Sequence, residues 1–92
     1  MTGTQKRSQA ATRKARKLME FLQFKDRPAI KNFQKVARMY GVHHVYGTVL
    51  KDMGYLTKEN GNYVWLGGKI TKDLVEEVKE RVHVLTNSEF YL

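Results

Sequence analysis

The chain has 92 residues with 17 Lys plus Arg against 9 Asp plus Glu, a net charge of +8, one proline and no cysteine. That length predicts one domain without a separate substrate-binding unit, and in a domain this small nearly every apolar residue must serve a single core. The cysteine count excludes a disulfide framework, a thiolate zinc site and a cysteine nucleophile, while no apolar run reaches the roughly 20 residues of a membrane span or resembles a signal peptide.

Residues 1–12 are polar, with Gly3, four Ser/Thr and no apolar periodicity, and are expected to form a flexible arm. Residues 1–17 hold Lys6, Arg7, Arg13, Lys14, Arg16 and Lys17 with no acid. Residues 18–70 hold eight basic and four acidic residues, and residues 71–92 three basic and five acidic. A basic arm, a moderately basic body and an acidic end point to a polyanionic partner, nucleic acid first. A solvated tail that aids solubility is the other reading, and an acid-free Arg/Ser/Thr segment is also the composition of a transit peptide, here without a clear cleavage signal. The expected location is the cytoplasm, on the nucleoid if the source is bacterial.

From Arg13 the pattern turns helical. Ala15, Leu18, Met19 and Leu22 recur at three- and four-residue steps, widened by Phe21 and Phe24, until Asp26-Arg27-Pro28 stops the helix. A second helix is expected from about Ala29 to Tyr40, with Ile30, Phe33, Val36, Ala37 and Tyr40 on one face and Lys31, Lys35 and Arg38 off it. Gly41 follows, where a left-handed residue belongs. A third helix fits His43 or His44 to about Met53, closed by Gly54.

The period then changes. Tyr55–Glu59 and Asn62–Leu66 are rich in strand formers and flank Asn60-Gly61, the strongest two-residue hairpin signal. This turn sets Glu59 opposite Asn62, Lys58 opposite Tyr63, Thr57 opposite Val64 and Leu56 opposite Trp65. Leu56, Lys58, Tyr63 and Trp65 then share one face, and at least one face must pack on the helices. After Gly67-Gly68, Thr71 is a good N-cap for a fourth helix with the stripe Leu74, Val75, Val78 and Val82. The chain closes on the apolar Phe90-Tyr91-Leu92.

The stretch Phe33-Gln34-Lys35-Val36-Ala37-Arg38-Met39-Tyr40-Gly41-Val42 resembles the first helix and turn of a helix-turn-helix. Ala37 permits close helix approach, Gly41 takes the turn, and Val42 is the apolar residue after it. With a third helix next and the Asn60-Gly61 ribbon as a wing, residues 15–66 resemble the winged helix-turn-helix DNA-binding superfamily. The resemblance implies an α+β fold: a three-helix core, a two-stranded β-hairpin wing, an added C-terminal helix and a disordered basic N-terminal arm. The corresponding divisions are 1–12 for the arm, 13–70 for the winged-helix domain, and 71–92 for the C-terminal helix and tail. One departure is that the next core position would fall on Gly47, which has no side chain to pack, so a turn one residue shorter is expected.

At 100° per residue, Val45, Tyr46, Val49, Leu50 and Met53 cluster on one side of the third helix and His44, Gly47, Thr48 and Lys51 on the other. The resemblance gives the outer set the role of reading the major groove. Gly47 would allow close approach to DNA, and Tyr46 at the boundary is either core or contact. Lys58 and the hairpin tip are candidate backbone contacts, as are Lys31, Lys35 and Arg38, against the plain alternative of solvated surface. Lys6, Arg7, Arg13, Lys14, Arg16 and Lys17 are the expected sequence-independent affinity source, with the arm in a minor groove. Leu74, Val75, Val78 and Val82 either cover the core or form the homodimer surface implied by the resemblance.

His43-His44 lacks the spacing and companion ligands of a metal site. No phosphate loop, catalytic triad or paired carboxylate stands out, so neither cofactor nor enzyme activity is expected. The leading expectation is a small double-stranded-DNA-binding protein, either a transcriptional regulator or a mobile-element accessory factor. The alternative is a protein-interaction module docking through Tyr46, Tyr63, Trp65 and Phe90-Tyr91-Leu92. RNA is a third candidate partner, since exposed aromatics can stack on bases.

Overall fold

The structure, a computed structural model, describes the backbone of residues 2–91 and the side chains of residues 9–86. Four helices and a two-stranded antiparallel hairpin form an α+β fold. The order is α1 (Thr2–Gln23), α2 (Phe33–Tyr40), α3 (Val45–Asp52), β1 (Leu56–Glu59), β2 (Asn62–Trp65) and α4 (Lys72–Tyr91).

The stripe Ala15, Leu18, Met19 and Leu22 is buried as its spacing dictates. α1 spans Thr2–Gln23, so residues 9–12 of the expected flexible arm are helical, while residues 1–8 of that arm lie outside the fully described residues. Ala10, Ala11 and the neighbouring Gln, Lys and Arg residues are good helix formers, and extending a packed helix requires no new nucleus. Thr12 is pinned to α4: its hydroxyl donates to Glu76 at 3.2 Å and accepts from Lys79 Nζ at 2.6 Å. At the other end, the Arg27 guanidinium donates to the carbonyls of Leu22, Pro28 and Tyr63. One side chain therefore ties the end of α1, the following loop and β2 together.

α2 starts at Phe33, four residues later than the expected Ala29. Asn32 is extended, and its side chain accepts the Gln34 N–H at 3.0 Å, so the capping residue sets the start. The loop before it is fastened to the hairpin, because the Ile30 N–H donates to Asn62 Oδ1 at 2.8 Å. Gly41 closes α2 at φ 69°, and the Val42 N–H returns to the Ala37 carbonyl at 3.0 Å. α3 starts at Val45, whose N–H donates to His43 Nδ1 at 3.0 Å.

The hairpin has the expected register, Leu56 with Trp65, Thr57 with Val64, Lys58 with Tyr63 and Glu59 with Asn62. Asn60 and Gly61 turn it at φ 52° and 78°, both positive as a type I′ turn requires. Leu56 is buried, and Tyr63 and Trp65 are half-buried against the same core. Trp65 lies over Gly67, where a Cβ would come within 2.6 Å of the indole, and its Nε1 donates to the Gly68 carbonyl at 2.9 Å.

α4 begins behind Thr71, whose hydroxyl accepts the Leu74 N–H at 3.1 Å. It packs on both α1 and α3. Val75 and Val78 are completely covered and Val82 nearly so, while Leu74 packs at the edge of the core. Val75, Val78 and Val82 thus complete the core of their own chain. Residues 71–86 accordingly belong to the same core as residues 13–70. The side chains of Phe90-Tyr91-Leu92, like those of Lys6 and Arg7, lie outside the described residues. Among the described residues no helix is long and apolar enough to cross a membrane.

Candidate nucleic-acid interface

α3 divides as its periodicity dictates. Tyr46, Val49 and Leu50 are buried, and His44, Thr48 and Lys51 are exposed on the opposite side. Tyr46 is only 5% exposed, which settles its role as core and removes it from the contact surface. Burial, followed by the nearby Glu76 carboxylate, pushes its phenol pKa up to about 12.

Gly47 also leaves the exposed set. It is buried against α2, and a Cβ there would lie 2.9 Å from Cδ1 of Phe33 and 3.0 Å from its Cγ. The glycine therefore admits the Phe33 ring, and it also lines the cleft beside His44, Thr48 and Lys51. The core position that looked empty in the sequence is filled from the facing helix, so the turn needs no shortening to explain it.

The exposed side of α3 forms one wall of a cleft of about 350 Å³. His44, Thr48 and Lys51 face Lys31, Asn32 and Gln34 at the start of α2, and Phe33 and Tyr63 supply aromatic lining. Two of the described residues lining this cleft are lysines and none is acidic. The rings of Phe33 and Tyr63 meet edge to face at 5.5 Å, which joins α2 to the hairpin. Lys58 Nζ lies 5.3 Å from the centre of the Tyr63 ring, placing an ammonium group beside the cleft.

A neighbouring hollow of about 340 Å³ contains Arg38 and shares Gln34 and His44 with the cleft. The rings of His43 and His44 stack there at 4.4 Å. With His43 Nδ1 already accepting the Val45 N–H, one face of this pair serves the helix start. Among the described residues no group of three or more His, Cys, Asp or Glu side chains is placed to hold a metal ion.

The remaining basic candidates separate. Lys35 and Lys17 are exposed and line neither hollow. Lys14 lies along the α2–α3 turn, with Nζ 3.6 Å from where a Cβ of Gly41 would stand. Arg13 and Arg16 line a different groove, between α1 and α4. The cleft thus unites His44, Thr48 and Lys51 with Lys31, while Arg13, Lys14, Arg16 and Lys17 do not line it. Asn32 and Gln34 were missed as cleft residues by pattern reading. The signal for Asn32 was an Asn directly before an apolar helical residue, the ordinary mark of a helix start.

Chemically, this is a concave, positively charged surface rich in side-chain donors, with Thr48 and His44 able to donate or accept. Comparison of the chain with known family models, with curated proteins and with solved structures finds no match.

Proposed function

We propose that the protein is a small winged-helix DNA-binding protein that places α3 in the major groove of a duplex, acting as a transcriptional regulator or a mobile-element accessory factor. One observation carries this reading: the exposed side of α3 and the start of α2 line a single acid-free cleft. The helix order, the left-handed Gly41 turn and the Asn60-Gly61 hairpin support the same reading. Thr48 and His44 can hydrogen-bond base edges, Lys51 and Lys31 can neutralise phosphates, and Lys58 extends the positive surface along the hairpin. Without an Arg or Asn among the exposed α3 residues, sequence preference is modest and backbone contacts supply most of the affinity.

The protein-docking alternative loses much of its surface. Tyr46 is buried, and Tyr63 and Trp65 are half-buried against the core. Double-stranded RNA fits the cleft less well than DNA, because its deep, narrow major groove does not admit a helix.

The test is fluorescence anisotropy with labelled duplex DNA, single strand and structured RNA at two salt concentrations. Duplex DNA is expected to bind best, with affinity falling steeply as salt rises. Thr48→Ala with Lys51→Ala is expected to weaken duplex binding about 10-fold and to lower the salt slope by about 1. Undiminished duplex affinity in that double variant, with its circular dichroism unchanged, rejects groove insertion of α3.

A further inference from the structure

The basic residues of α1 that do not join the α3 cleft have a setting of their own. Gln9, Thr12, Arg13 and Arg16 of α1 line a groove of about 450 Å³, with Lys72 and Glu76 of α4 on the other wall. Arg13 and Lys72 are exposed and Arg16 is half-buried. Neither arginine makes an ion pair with a described residue; the ion pair present among those residues joins Lys79 to Glu76 at 3.2 Å.

Glu76 is the acid on the wall of this groove, and its charge is already engaged. The Lys79 ammonium and the Thr12 hydroxyl, 2.6 Å from each other, both engage it. Those contacts hold the Glu76 carboxyl below its ordinary pKa, Lys79 contributing most, with Lys72 acting at longer range. Three cations against one committed carboxylate leave the groove with net positive charge. Arg13 and Arg16 stand one helical turn apart on α1, and each guanidinium can bind phosphate oxygens in bidentate fashion.

The position of the groove matters as much as its charge. The buried side of α3, carrying Tyr46, Val49 and Leu50, is the side that meets α4, and the cleft lies on the side away from it. The helical core therefore stands between the two basic surfaces. The cleft and the α1–α4 groove share no lining residue.

We propose that this groove is a second phosphate-binding surface, through which one protein molecule holds the backbone of a second nucleic-acid duplex. The inference rests on the reading of the α3 cleft as the first duplex site. It gives the protein a bridging capacity that a single recognition surface lacks.

The experiment uses the full chain and two short duplexes of unrelated sequence, one immobilised on beads and one fluorescent. Wild-type protein is expected to retain the fluorescent duplex on the beads in low salt and to release it as salt rises. Arg13→Gln with Arg16→Gln keeps good helix formers at both positions. It is expected to bind the immobilised duplex within about 3-fold of wild type and to lose at least about 10-fold in retention of the second. Sedimentation at the assay concentration separates bridging by one molecule from bridging by self-association. Three results overturn the proposal: wild type binding one duplex but retaining no second, the double variant bridging as well as wild type, or bridging that tracks a dimer. Failure to bind any duplex overturns the cleft reading along with it.

Discussion

Gly47→Ala tests whether the junction of α2 and α3 is built as described. In an exposed helix the change would stabilise by about 1 kcal/mol, because alanine is the better helix former. Here the new methyl carbon would stand 2.9 Å from Phe33 Cδ1, with Cγ at 3.0 Å and Cε1 at 3.2 Å. Phe33 is buried, and its ring is braced edge-to-face against Tyr63, so displacing it toward the cleft costs packing. Overpacking of a filled core costs about 1–3 kcal/mol. The clash outweighs the propensity gain, and the net expectation is a loss of about 1 kcal/mol, or roughly 4–8 °C in Tm for a domain of this size. The assay is urea or thermal unfolding of a double-mutant cycle with Phe33→Ala. Once the ring is gone, Gly47→Ala should become neutral or stabilising by up to about 1 kcal/mol. Stabilisation by Gly47→Ala in the wild-type background, or the same effect in both backgrounds, refutes the close approach of Phe33 as the reason for this glycine.

Other perturbations have equally specific outcomes. Asn62→Ala removes the acceptor of the Ile30 N–H and should cost about 1–3 kcal/mol in urea unfolding, with faster hydrogen exchange at Ile30. His43→Ala removes the acceptor for the Val45 N–H and should cost about 0.5–2 kcal/mol, as for loss of a helix cap. The raised Tyr46 pKa, about 12 against an ordinary 10.0, means that the fold favours the neutral phenol. Its contribution is complete below pH 10 and is lost as pH rises to about 12, at most about 3 kcal/mol. Ultraviolet titration should show one tyrosine ionising after the others, and Tyr46→Phe should flatten the stability decline in that window.

The hairpin was readable to the residue because its information is local: Asn60-Gly61 sets the turn, and the turn sets every cross-strand pair. The apolar stripes of α1 and α4 were readable as stripes, but periodicity does not say what covers them. Leu74, Val75, Val78 and Val82 have the same spacing whether they face their own core or a second chain, and only packing against α1 and α3 decides it. Gly47 misled for a related reason. A glycine on a helix leaves a gap, and the residue that fills it, Phe33, lies 14 positions earlier on a different helix. Residues 9–12 were not read as part of α1 because helix formers without apolar spacing give no periodic signal, although their backbone preference continues the helix. Of the candidate site, His44, Thr48 and Lys51 followed from the wheel of α3. Asn32 and Gln34 join them only because the N-cap at Asn32 brings the start of α2 beside α3.

The most direct measurement is an NMR titration of isotope-labelled protein with a short DNA duplex added in small steps. Amides of Lys31–Gln34 and His44–Lys51 should shift first and saturate together, with Lys58 following, while Val75 and Val78 move little. Early shifts confined to α1 and α4, with the α2 start and the α3 amides unmoved at saturation, would contradict the placement of α3 in the groove.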